Sequence, residues 1–311
     1  MAAGFFAVPI AKAQATWPNR TVRIVVGFPG GSTPDIAARV LADGLARLWG
    51  QGVIVEAKTG AGGNIAAEFV SRATDDHTLG VVINGNLSTA KLLNPKLGYD
   101  PVKDLRPLSL LATAPLVLVA PADQPTGAAW LAAARSAGDK WNYGSVGIGS
   151  VGHLGIEVIK AALGTTGAVH VPYNGNPAIV VALIGAQVQM ALMPPGLALP
   201  QVKTGKLQAV GLAGPRSPLA PDIPSLLDLG VRMDPLEVWT ALVGPASLSP
   251  AAQERIARDV PALLKEPEVR QRLLAAGWDP QGSSSAALAA RVRDETRIFG
   301  EIIQARGIKL D

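Results

Sequence analysis

The sequence predicts an α/β protein of two lobes, each a doubly wound sheet flanked by helices, with two crossing strands between them. Three observations lead there. Short apolar strands alternate with amphipathic helices across glycine-rich turns, the pattern of parallel βαβ units. That series runs twice, with apolar segments near residues 118 and 240 between the runs. The chain has 311 residues, 48% of them apolar and 17% charged, too many for one ordinary domain and apolar enough for two cores.

In the first series residues 21–26 (TVRIVV) read as a strand and 35–49 as a helix with apolar residues at helical spacing. A strand at 52–56 (GVIVE), a helix at 64–73 and a strand at 78–83 (TLGVVI) follow. Residues 116–120 (LVLVA) form the next strand, before prolines at 121 and 125. The second series runs through a strand at 141–145, a helix at 151–163, a strand at 168–171, a helix at 177–185 and a strand at 187–192. A helix near 197–204 and a strand at 207–212 complete it. Residues 238–243 (VWTALV) form a further strand, and the charge-dense tail from Pro250 is helical, returning to the first lobe. The expected division is therefore 16–118 with 240–311 as one lobe and 119–239 as the other. The 34 glycines and 25 prolines fit many short turns.

Composition narrows the function. A net charge of +4, with no basic run interleaved with aromatics, gives no sign of nucleic acid. The absence of cysteine excludes a disulfide scaffold, a thiol nucleophile and a Cys-based zinc site. Residues 4–11 are apolar and lead to Ala13-Gln14-Ala15, an A-x-A pattern of the kind signal peptidase cuts. Residues 1–15 are thus expected to be the remnant of a signal peptide, and the mature chain to start near Trp17-Pro18-Asn19 in the periplasm. No Lys or Arg precedes the apolar stretch, which leaves the position of the native start codon open. An N-terminal tail on a cytosolic chain is the alternative. No later segment reaches the roughly 18 apolar residues of a membrane helix.

The strongest local feature is Gly27-Phe28-Pro29-Gly30-Gly31-Ser32-Thr33-Pro34-Asp35, which follows a strand and opens a helix. Ligands of open α/β sheets bind at such strand ends. Gly30 and Gly31 let backbone approach a ligand, and the free N–H groups of the helix start favour an anion. Phe28 and Thr33 lie in the same turn. Asp35 either holds a polar ligand group or caps its helix. A second turn, Gly144 to His153 (GSVGIGSVGH), repeats the arrangement and contains G-x-G-x-x-G at 147–152. The strand about 20 residues on ends without Asp or Glu to hold a ribose. The turn therefore reads as a second anion site with Ser145 and Ser150 as hydroxyl donors, with helix–strand packing as the alternative. Asn84-Gly85-Asn86 and Tyr173-Asn174-Gly175-Asn176 occupy equivalent places in the two lobes, where amide contacts and a simple turn role are both open.

Signals of catalysis do not accumulate. Ile148 stands where a nucleophile elbow ending at Ser150 needs glycine. His77, His153 and His170 do not form a metal motif. His153, in the first turn of its helix, is disfavoured as a cation by the dipole and reads as a neutral hydrogen-bonding residue. No enzyme, metal or cofactor is expected. The rival readings are a nucleotide-cofactor enzyme built on residues 147–152 and a ligand sensor for signalling.

Taken together, VRIVVGFPGGSTPDIAARVLADGL (22–45), GAGGNIAAEFV (60–70), YDPVKDLRPLSLLA (99–112), NYGSVGIGSVGHL (142–154), VHVPYNG (169–175) and PDIPSL (221–226) closely resemble the Bug family of periplasmic solute receptors. These are the binding components of tripartite tricarboxylate transporters. The resemblance runs from Trp17 nearly to the C-terminus. It implies the Venus-flytrap, type II periplasmic-binding-protein fold, acting as a monomer with a permease of one large and one small integral subunit. It also implies a ligand carboxylate at Phe28, Gly30, Gly31 and Asp35, faced by Ser145, Gly149, Ser150 and His153. Many relatives carry Asp where this chain has Met193, so Met193 implies a ligand without an ammonium group. Many also carry Ser or Thr where Val151 stands, and the loop after Asn86 is shorter than usual.

Overall fold

The computed structural model describes residues 17–165 and 167–309. The apolar stretch at 4–11 and the A-x-A pattern at 13–15 lie outside them. The first series forms β1 (Val22–Val26), α1 (Thr33–Trp49), β2 (Val53–Ala57), α2 (Asn64–Ser71) and β3 (Thr78–Ile83), then two short helices, α3 (Asn84–Ser88) and α4 (Ala90–Leu93), and β4 (Leu105–Pro115). The second forms β5 (Val117–Pro121), α5 (Gly127–Ala137), β6 (Asn142–Ser145), α6 (Val151–Leu163), β7 (Val169–Pro172), α7 (Asn176–Ile184), β8 (Met190–Met193), α8 (Pro195–Lys203) and β9 (Leu207–Leu212). The chain closes with β10 (Glu237–Pro245), α9 (Pro250–Leu263), α10 (Pro267–Ala275), β11 (Asp279–Pro280) and α11 (Ser285–Arg306).

The strands make two sheets, in the orders β11-β4-β10-β3-β1-β2 and β7-β6-β8-β5-β9. The chain leaves the first sheet at Pro115, enters the second at Val117, and returns with Glu237. Both sheets are mixed rather than purely parallel. β10 runs antiparallel to β3 and β4, and β5 antiparallel to β8 and β9. Each is the strand delivered from the other sheet, so it arrives running against its new neighbours. The βαβ units themselves are parallel, with β1 between β2 and β3, and β6 between β7 and β8.

Local sequence explains the elements that frame the cleft. α1 starts at Ser32, whose extended backbone precedes Pro34 in the first turn, and stops at Gly50, which takes the left-handed conformation at φ +65°. Its apolar face, including Ala38, Leu41 and Leu45, packs on Ile24 and Leu79 of the sheet. α6 repeats the design with Ser150 before it and Gly164, φ +70°, after it.

The elements missed from sequence share a cause: none carries a clean periodic pattern. β4 holds Pro107 and Pro115 and is the longest strand described. Pro107 is tolerated because it pairs with Val243 at a register shift, where a ladder hydrogen bond is already interrupted. The Asn84–Asn86 loop is instead the buried helix α3. α5, Ala-rich and weakly amphipathic, also went unread.

The tail does not return wholly to the first sheet. Leu288 and Val292 of α11 pack in the core beneath Trp239, whereas Phe299 is buried with Leu118 and Leu154 of the second lobe. α11 therefore straddles both lobes behind the cleft. Among the described residues no helix is long and apolar enough to cross a membrane.

Candidate ligand-binding site

The turns after β1 and β6 meet across the cleft, and between them lies a pocket of about 40 Å³. The first lobe lines it with Phe28, Ser32, Thr33, Pro34, Ile83, Asn84 and Trp278. The second contributes Val146, Ser150, Val151, Gly152, Asn176, Leu192 and Pro194, with Leu116 and Val238 at the crossings. A wider pocket of about 690 Å³ opens at the rim and shares Val146; Tyr173 and Asn174 belong to its wall.

The first turn is left open. Ser32 occupies the N-cap position of α1 but makes no capping bond, and its buried hydroxyl has no partner. The first α1 amide to find a carbonyl of its own helix is that of Ile36, on Ser32 O. Helix starts of this kind present donors and a partial positive charge. Trp278 donates from Nε1 to Thr33 O at 3.1 Å, which fixes the start of the helix from the C-terminal side. Asp35, 1% exposed, is turned inward on its own turn. It accepts from Gly31 N at 3.0 Å and Arg39 Nε at 2.9 Å, while its Oδ1 has no partner. The Gly31 amide is thus already engaged, and Gly30 and Gly31 face solvent.

The second turn is closed on itself. Ser150 donates to Gly147 O at 2.7 Å and caps α6 by accepting from His153 N at 3.3 Å. Gly149 N donates to His153 Nδ1 at 3.1 Å, which puts the proton of the neutral imidazole on Nε2. Ser145 Oγ lies 2.6 Å from His170 Nε2 and accepts from Gly147 N. Beneath the turn Tyr143 stacks on His153, His170 sits 4.2 Å from His153 between ring centres, and Tyr143 donates to Glu157 at 2.5 Å. Lys160 reaches both Glu157 and Ala168 O. Burial, with Lys160 nearby, pushes His153 down to about 4. Burial, His153 and Lys160 push His170 down to about 3. The neutrality of His153 expected from the helix dipole is therefore found, with desolvation as its first cause.

The lobes touch through small residues. Thr89 donates to Gly149 O at 2.7 Å, and Asn176 Nδ2 to Thr33 Oγ1 at 3.3 Å. A Cβ on Gly147 would lie 3.2 Å from Gly62 Cα, and Gly196 and Gly277 pack backbone to backbone. The G-x-G-x-x-G run serves this approach.

Of the residues singled out from sequence, Phe28, Thr33, Asn84 and Ser150 line the inner pocket. Asn86 does not: its Oδ1 accepts from Ile83 N and its Nδ2 donates to Gly62 O and Asn64, so the amide is spent on structure. Ser145, Gly149 and His153 stand one layer behind. Met193 is fully buried in the second-lobe core with Val117 and Leu212, because strand alternation turns Leu192 and Pro194 to the pocket and Met193 away. Nothing about a ligand ammonium follows from it. From sequence, Asn176 belongs to a turn where amide contacts are open, whereas Ser32 and Trp278 carry no assigned role. Ser32 carried a signal, a serine immediately before a Thr-Pro helix start, but Asp35 was weighed as the cap in its place.

A pocket enclosed by two α/β lobes, with an uncapped helix start on one side, defines a small-solute binder. A family model described as the tripartite tricarboxylate transporter family receptor matches residues 37–308, and the chain belongs to that family. The fold is similar to that of the periplasmic binding protein BugD, at 26% identity and a TM-score of 0.88, covering 94% of this chain and 99% of that one. It is similar to MatC (Rpa3494) from Rhodopseudomonas palustris with bound malate, at 30% identity and a TM-score of 0.85, covering 92% and 100%. It is also similar to R. palustris Rpa4515 with adipate, at 26% identity and a TM-score of 0.90, covering 94% and 99%.

Proposed function

We propose that this protein is a periplasmic receptor that captures a small organic carboxylate between its lobes and hands it to a tripartite tricarboxylate-type permease, without catalysing a reaction. The observation that carries the reading is the start of α1, where a buried, unpartnered Ser32 hydroxyl and uncapped amides border the inner pocket. A carboxylate supplies the acceptors these donors lack. The malate and adipate bound by the two similar proteins are both acids of this kind.

In the proposed cycle the ligand docks on the α1 turn while the lobes are apart. The lobes then hinge at 115–117 and 213–237, Thr89 clasps Gly149 O, and Asn176 meets Thr33. A hinge at these points, where the chain changes sheet, would set the lobe boundaries slightly earlier than 118 and 240. α11 spans both lobes behind the hinge and limits how far they part. Secretion through the apolar N-terminus at 4–15 would deliver the receptor to its compartment.

A thermal-shift screen of mono-, di- and tricarboxylates tests the binding claim. An acid at 100 times its Kd adds about 2.7 kcal/mol, a shift of several degrees for a protein of this size. If no acid raises the melting temperature, or a bound acid is turned over, the receptor reading fails.

A further inference from the structure

Asn84 is the one amide side chain of the first lobe on the inner pocket, and its orientation is set from behind. Its Nδ2 donates to Glu237 O at 3.4 Å, and it lies beside the Glu295 carboxylate. Burial raises the pKa of Glu295, and the hydrogen bonds from Trp239 and Arg291 oppose that rise. The Glu237 carbonyl can only accept, so the NH2 must face it, and a flipped Asn84 would set oxygen against oxygen. The Oδ1 is thereby turned away from Glu237 O.

That oxygen is fully buried and has no donor. The nearby pocket hydroxyls do not reach it, and Ser150 has its proton on Gly147 O. The side chains of Ile83, Leu116 and Val238, which line the same pocket, have no donor to offer. A buried acceptor without a donor is costly, so an occupant that brings one is favoured over an occupant that does not. The same pocket borders the α1 start, where donors wait for an acceptor.

We propose that the preferred ligand is a hydroxy acid, with its carboxylate at the start of α1 and its hydroxyl donating to Asn84 Oδ1. This rests on the carboxylate reading above and narrows it; family membership leaves the point open, since malate carries a hydroxyl and adipate does not. Discrimination comes from the mismatch: an acid lacking the hydroxyl strands the Asn84 oxygen, as polar sites reject analogues missing one hydrogen-bonding group.

Calorimetric titration of matched pairs tests it: propionate against lactate, succinate against malate, glutarate against 2-hydroxyglutarate. In at least one pair the hydroxylated member should bind about 10-fold to 100-fold more tightly. In Asn84→Ala the ratio should fall to within about twofold, through weaker binding of the hydroxy acid alone. Equal affinities within every binding pair would overturn the proposal, showing that a pocket water satisfies Asn84. A ratio that survives Asn84→Ala would overturn it too, since the hydroxyl would then be read elsewhere. If Asn84→Ala does not fold, the wild-type ratios decide alone. Binding of none of the six acids would sink the carboxylate reading itself, an outcome distinct from binding without discrimination.

Discussion

The turns before α1 and α6 look alike in sequence, glycine-rich and ending in serine ahead of a helix, yet they are finished differently. Ser150 caps its helix and donates to Gly147 O, Gly149 N is taken by His153 Nδ1, and Gly149 O accepts from Thr89 across the cleft. Ser32 caps nothing, its hydroxyl is orphaned, and Asp35 folds back onto Gly31. The serine of one turn is partnered without a ligand and that of the other is not. On the proposed reading the side-chain donor to the ligand comes from the first lobe, and the second turn is the wall brought up to close it.

The contrast is broken most forcefully with glycines. A Cβ on Gly149 meets Leu93 and Thr89 across the cleft, at φ +80°, whereas a Cβ on Gly30 meets nothing within 4 Å. Gly149→Val should hold the lobes apart. If the closed population drops to about 1%, affinity falls on the order of 100-fold. Small-angle scattering with saturating ligand should then show an expanded particle. Gly30→Ala should leave affinity and scattering unchanged. Loss of binding in Gly30→Ala, with Gly149→Val unaffected, would invert the roles of the two turns.

Acid separates the turns next. His153 and His170 lie under the second turn only; each has an ordinary value of 6.5, lowered to about 4 and about 3 in the folded chain. As pH falls the unfolded chain takes up these protons first. Their contribution is full above pH 6.5 and is lost as pH falls through 4 toward 3. Melting temperature should decline between pH 6.5 and 4, and His170→Gln should flatten that slope. Protonation also removes the Nδ1 acceptor of Gly149 N, so amide exchange should rise at 147–153 before it rises at 29–35. A flat melting temperature over this window would show that the buried pair is not held neutral.

How much of this was legible depended on whether a residue's role was local. β3 and α6 were read at their observed limits because an unbroken apolar run, or a Ser start with a Gly stop, is written within the element. Asn84 and Asn86 were read together as loop amides, since their sequence context is the same. Their separation comes from Gly62, Asn64, Glu237 and Glu295, which only the fold brings to them. Met193 failed for a related reason: a one-residue difference along β8 decides between core and pocket. Trp278 could not be anticipated at all, because it reaches Thr33 from the far end of the chain.

The finest cut compares the two serines directly. Removing a hydroxyl that caps a helix typically costs about 1 kcal/mol, and Ser150 makes that bond while Ser32 does not. Ser150→Ala should therefore lower the melting temperature of the unliganded protein by a few degrees, with little change in ligand affinity beyond that of a slightly softened wall. Ser32→Ala should do the opposite. It deletes a buried hydroxyl that has no partner in the folded chain, so unliganded stability should hold or rise slightly. With the ligand bound it removes one donor to a carboxylate, and affinity should drop about 10-fold. Thermal melts with and without the best acid from the carboxylate screen read both effects from one experiment. Equal effects of the two substitutions on stability would mean that Ser32 caps α1 in solution after all, and the open turn would lose its claim on the ligand.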